Sequence, residues 1–375
     1  MWPFSTEKQP QDPSWLYCGI AVNAAVGMGL HHSRSMNSTR NISMSSGPST
    51  WLGCFFASTT LGMFIGIPPS INGPSDLEAI EQFVRRNPVQ PEFSYQIMTQ
   101  HTLAKFTNIL LENSKDAINC SLVKVVETEL DGLKSRFLTD WTSKSEVTLL
   151  VAKLHLYTMM VVRMQSDLAS REVLLKLGLS VSLRIVYLND QGLAYRSTNY
   201  PDMPAAELQR TLPKNHFRGL ALATVFLLRY FALNNQSSPE ERELARNHVA
   251  IAHTYFKAAS TAPQDDRARV ARLFETLSRQ QPFDIDNAKL RTDNRMGWSL
   301  VNDTIEIGKE IRENSEQSTP AEIPIIDRTG ASDQTLDFDP SVPSAFDPLD
   351  FSLPEDIWGD SLWGAFDIRI GPSMH

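Results

Sequence analysis

Asn302, Glu306 and Glu310 set three oxygen donors at four-residue steps, with Asp303 beside the first. On a helix that spacing stacks them on one face, where they could share a magnesium ion. A second acidic cluster able to complete such a site is harder to find. Asp265-Asp266 is followed at once by Arg267 and Arg269, and it lies close in sequence to the first group. A solvated helix face accounts for the Asn302–Glu310 pattern without any metal.

Other candidates for chemistry are sparse. Gly27-Met28-Gly29-Leu30-His31-His32 begins like a dinucleotide fingerprint, but it ends a helix where the fingerprint must follow a strand, and it lacks the third glycine. His31 and His32 are adjacent and point apart. His248 and His253 are five apart, off the i, i+4 face that a shared metal needs. There is no Gly-x-Ser-x-Gly elbow and no Gly-Lys-Ser/Thr phosphate loop. No catalytic residue, metal ligand or cofactor is therefore expected in this chain, and it is not expected to be an enzyme. Cys18, Cys54 and Cys120 are too far apart for a disulfide framework or a zinc cluster, which suits a reducing compartment. The N-terminus lacks the continuous apolar core of a secretory signal.

The elements that must carry these residues read as helices. Asp12-Pro13 is a good helix start, because the Asp side chain accepts from first-turn amides and Pro has none to waste. From Ser14 to Leu30 the only strongly polar interior residue is Asn23, so this helix is expected to be buried nearly all round. A second buried helix is expected from about Ser49 to Ile65, stopped by Gly66, Pro68 and Pro69. Its small residues Gly53, Ala57, Ser58 and Gly62 would admit a neighbour, with Gly19 and Ala24 of the first helix opposite in an antiparallel pair. Amphipathic stripes follow. Leu122, Val126, Leu130, Leu133 and Phe137 form one, Leu150, Leu154, Tyr157 and Val161 another, and Val270, Leu273, Phe274 and Leu277 a third. His216 to Leu233 reads as a central helix. No sustained period-two pattern argues for a sheet, so the fold class is all-α.

Charge divides the chain. The formal net charge of the 375 residues is −8, yet Asp333 to Asp367 alone holds nine acidic residues and no Lys or Arg, leaving +1 elsewhere. A body that close to neutral does not supply a broad basic surface for phosphates. The acidic segment is interleaved with Phe338, Phe346, Phe351, Trp358, Trp363 and Phe366 and punctuated by four prolines. Such a stretch buries too little apolar surface to offset its ordering entropy, and disorder in isolation is expected. A merely solubilising tail would not need six large aromatics. Repelling carboxylates keep them available to a partner's groove, and Asp356 to Phe366 could form a short amphipathic helix on binding. The expected organisation is an N-terminal extension at 1–11, a helical domain at 12–314, a linker at 315–332 and the acidic aromatic tail at 333–375.

Two stretches together resemble the regulatory middle homology domain of fungal zinc-cluster transcription factors. Trp15-Leu16-Tyr17-Cys18-Gly19-Ile20-Ala21-Val22, continuing to Gly29-Leu30-His31, is similar to the family's helix with Trp, Gly, Ala and Gly-Leu-His. Trp51-Leu52-Gly53-Cys54-Phe55-Phe56, continuing to Gly66-Ile67-Pro68-Pro69, is similar to its tryptophan-led helix ending in Gly-Arg-Pro. Ser58-Thr59 stands where the family usually has Asp-Arg, and Ile67 replaces the Arg. The resemblance covers roughly sixty residues, and it implies structural roles for Trp15, Gly19, Ala21, Gly29, Leu30, His31, Trp51, Gly66 and Pro68. It also implies a nuclear transcription regulator whose tail engages the transcription machinery, with room for a small-molecule effector and a homodimer. The six-cysteine zinc cluster and the first part of the family's helical domain are absent. The chain is thus expected to be a truncated member, which would hold zinc and contact DNA only through a missing N-terminal domain or a partner. Two alternatives stand beside this. The Asn302–Glu310 pattern approaches that of terpene cyclases, all-helical magnesium-dependent isoprenoid enzymes, with Glu306 in place of their Ser or Thr. The uncharged run Trp51–Ile67, seventeen residues long, is near the short limit for crossing a bilayer, which would make a membrane-associated helical protein.

Overall fold

The computed structural model describes residues 14–31, 47–87, 89–112, 120–138, 140–164, 167–191, 204, 207, 210–212, 214–234, 236–263, 265–278 and 295–317. Among them the fold is all-α, with eleven α-helices and no strand. They are α1 (Ser14–Gly27), α2 (Gly47–Ile65), α3 (Pro74–Arg86), α4 (Pro91–Glu112), α5 (Cys120–Phe137), α6 (Ser143–Arg163), α7 (Leu168–Asp190), α8 (Lys214–Leu233), α9 (Pro239–Ala259), α10 (Asp266–Ser278) and α11 (Ser299–Gln317). A 3-10 turn, Met296–Trp298, leads into α11. The last helix runs three residues past the boundary expected at 314. Residues 1–13 and 318–375 lie outside the described residues, and with them the expected tail and all of the expected linker except residues 315–317.

Local chemistry sets several of these starts and stops. Thr142 Oγ1 accepts from Ser145 N at 3.1 Å to open α6, and Asp167 Oδ1 accepts from Ser170 N at 3.1 Å to open α7. Ser238 and Glu241 cap α9 reciprocally, with the Ser238 hydroxyl accepting from Glu241 N at 3.2 Å and the Glu241 carboxylate accepting from Ser238 N at 3.1 Å. That carboxylate also accepts from the Tyr230 hydroxyl at 3.0 Å, which ties the start of α9 to α8. At the far end of α9, the Arg210 guanidinium donates to the carbonyls of Ala258 and Ala259 at 2.8 and 3.0 Å. A cation there meets orphan acceptors and the negative end of the helix.

The centre is the layered set α6, α7 and α8. Phe217, Leu220, Leu222, Val225, Phe226, Leu227 and Tyr230 of α8 are all buried, as the apolar run from His216 predicts. Gly178 lets α7 rest directly on α8, since a Cβ there would sit 2.2 Å from the Phe226 ring. The three predicted stripes face this core. Val126, Leu130, Leu133, Leu154, Tyr157, Val161, Val270, Leu273, Phe274 and Leu277 are buried, and Leu122, Phe137 and Leu150 are half-buried. Among the described residues the helix long and apolar enough to cross a membrane is α6, not the 51–67 stretch of the membrane alternative, and 72% of its most apolar window is buried inside the body. The apolar part of α2, Ser49–Ile65, is shorter than a span.

The first helix corrects an expectation. α1 buries only Cys18, Val22 and Ala25, and Leu16, Tyr17, Ile20, Val26 and Met28 are exposed. Its substantial helix partner among the described residues is α2 alone, so most of its circumference meets no other described helix. α2 is buried nearly all round as expected, lying against α1, α3, α4, α8 and the 3-10 turn.

Candidate functional site

Both motif stretches end in the same backbone device. In α1 the Leu30 amide donates to Ala25 O at 3.0 Å and the Gly29 amide to Val26 O at 2.9 Å, with Gly29 left-handed at φ 72°. In α2 the Ile67 and Gly66 amides both donate to Gly62 O, at 3.0 and 2.8 Å, with Gly66 at φ 74°. Glycine is favoured in this left-handed cap because it has no Cβ to strain.

The two stretches then pack on each other. The His31 ring, just past the end of α1, lies 6.0 Å from the Trp51 ring at the start of α2. Further along, the Cys54 thiol approaches Ala21 O at 3.9 Å. Late residues of α1 thus meet early residues of α2, the expected antiparallel pairing. Trp51 is buried, while Trp15 and Leu30 are half-buried against the core. Burial pushes the Cys18 thiol up to about 11, with Cys54 beside it adding to the effect, and burial raises Cys54 as well. Both side chains are buried in the apolar core, and burial favours their neutral thiol form.

The small residues do something other than expected. A Cβ on Gly19 or Gly53 would meet nothing within 4 Å, so neither marks a close helix crossing, and Ala21 is exposed. At Gly62 a Cβ would come within 2.9 Å of Ile67 O and 3.3 Å of the Pro69 backbone. Ser58 Oγ accepts from Ser70 N at 3.0 Å. The small face of α2 therefore receives its own returning chain, turned by exposed Pro68 and buried Pro69, instead of α1. Ser58, one of the departures from the family pattern, has a local role in this return. Gly66 abuts the segment before α11, where a Cβ would sit 2.1 Å from Arg295 O.

The oxygen-donor pattern near residue 303 is split by the fold. Asp303 is buried and its Oδ2 accepts from Arg229 Nη2 at 2.8 Å. Glu306 is exposed and pairs with Lys309 at 3.0 Å, and Glu310 is exposed. Among the described residues no three His, Cys, Asp or Glu side chains gather as a metal site. His248 is half-buried, with Nδ1 2.8 Å from Leu244 O, and His32 lies outside the described residues. A shallow open groove between the start of α4 and the α5–α6 turn is lined by Gln90, Glu92, Asp140, Thr142 and Ser145. The tail aromatics Phe338, Phe346, Phe351, Trp358, Trp363 and Phe366 lie outside the described residues.

Sequence reading missed three features. One is the Arg229–Asp303 pair, where both residues look like ordinary surface charges. The second is His155, buried in α6 with its ring 4.8 Å from that of Phe64 and pushed down to about 4 by burial. Its position inside the stripe Leu154, Tyr157, Val161 was the available signal. The third is the exposed apolar face of α1. Compared with protein-family models, curated proteins and solved structures, the chain matches none.

Proposed function

We propose that the chain is a nuclear transcription regulator, a helical regulatory body joined to an acidic, aromatic activation tail that recruits the transcription machinery. The observation that carries this reading is the pairing of Trp15–His31 with Trp51–Pro69. The two stretches that resemble the zinc-cluster family's regulatory domain are sequence neighbours that form one antiparallel unit, joined by the His31–Trp51 contact. The tail composition supports it independently, since six aromatics among nine carboxylates suit an apolar partner groove. The role is binding, not catalysis. DNA would be reached through a partner or an N-terminal zinc cluster, and a small-molecule effector or a second copy would act on the helical body. Tethering residues 333–367 to an unrelated DNA-binding domain beside a reporter tests the proposal, and a silent reporter would sink it.

A further inference from the structure

Five of the eleven large apolar side chains exposed among the described residues fall within thirteen positions of α1 and its end. Leu16 is 63% exposed, Ile20 56% and Met28 66%. Leu16, Tyr17 and Ile20 surround Ala24 and Gly27 on the side opposite Cys18, Val22 and Ala25. The polar residue at the edge of that side, Asn23, is exposed and donates its amide back to Gly19 O of the same helix at 2.9 Å. A helix apolar all round is one that a fold ordinarily covers.

We infer that the outward face of α1 is the seat of this chain's own C-terminal segment Asp356–Phe366, which lays Ile357, Trp358, Leu362, Trp363 and Phe366 on it. Area favours a tethered occupant. The exposed apolar surface is on the order of 500 Å², enough to mark an interaction site but short of the roughly 800 Å² per partner of a stable dimer. A segment on the same chain binds at an effective concentration that compensates for a small footprint. Charge does not oppose this segment. Pro13 to Ser75, which includes all of α1 and α2, is the longest stretch of the chain without Asp or Glu, so Asp356 and Asp360 of the segment meet no like charge on those two helices. Reach is sufficient, because a polar connector of about forty residues spans roughly 35 Å and a body of this size has a radius of gyration of roughly 19 Å. The inference rests on the proposed reading only in treating the tail as a partner-binding segment.

Hydrogen exchange on the full chain tests it. The amides of α1 should exchange at least ~5-fold faster in the Trp358→Ala/Trp363→Ala/Phe366→Ala variant than in the parent, while those of α6 stay unchanged. A synthetic peptide of residues 350–367 should restore protection to that variant. In Ile20→Glu the three alanines should make no further difference. Equal α1 exchange in parent and triple variant overturns the inference. So does α1 protection that rises with protein concentration in both, which would place a second copy on the face. The tethered reporter does not involve α1, so an active reporter with unchanged exchange removes the seat and leaves the function, and the converse removes the function alone.

Discussion

Arg229 on α8 and Asp303 on α11 are joined at 2.8 Å with their side chains 2% and 0% exposed. Taking two charges out of water is costly, and the pair is tolerated because each meets the other. Two consequences follow. Asp303 is committed to Arg229, and the last described helix is locked to the central one by a contact that apolar packing alone would not specify.

Removing one partner strands the other. Asp303→Ala is expected to cost about 3–5 kcal/mol, whereas replacing both residues with apolar side chains of similar volume should cost far less. Urea titrations of the single and double variants measure this, and equal losses would contradict it.

The two left-handed glycines should differ in tolerance. Gly29→Ala meets open space and pays only the backbone strain of roughly 1–2 kcal/mol. Gly66→Ala pays the same strain and must also displace the Arg295 carbonyl, so its unfolding midpoint should fall further. A reversal of that order would show that Gly66 is not packed against residue 295.

Acid stability should depend on His155. Its folded pKa, about 4, lies below the unfolded value near 6.5, so the unfolded chain binds the extra proton between those limits. The contribution is therefore complete above pH 6.5 and is lost as pH falls towards 4, by about 3 kcal/mol in all. His155→Leu keeps the side chain apolar and should flatten stability across that window. An unchanged slope would mean that other groups carry it, such as half-buried His216, which desolvation also pushes down.

Much of the architecture was legible because helix signals are local. The Gly-then-Pro stop after Ile65 and the stripe from Val270 to Leu277 each need only a few neighbouring residues to interpret. What was not legible depends on distant partners. The apolar text of α1 says that the helix wants burial, but whether anything covers Leu16 and Ile20 is decided elsewhere in the chain. The small residues of α2 signal close approach without naming the neighbour, which proves to be the returning segment at Pro69. Asp303 shares its helix with exposed Glu306 and Glu310, and only the fold shows it turned inward to an arginine seventy-four positions away.

The central claim concerns the tail, and one measurement reaches it most directly. Residues 333–367 joined to an unrelated DNA-binding domain should drive a reporter well above the DNA-binding domain alone. The same fusion with Trp358, Trp363 and Phe366 changed to Ala should lose most of that activity at unchanged net charge, since apolar anchors and not carboxylates supply the binding energy. A silent parent fusion, or full activity in the triple variant, would contradict the account.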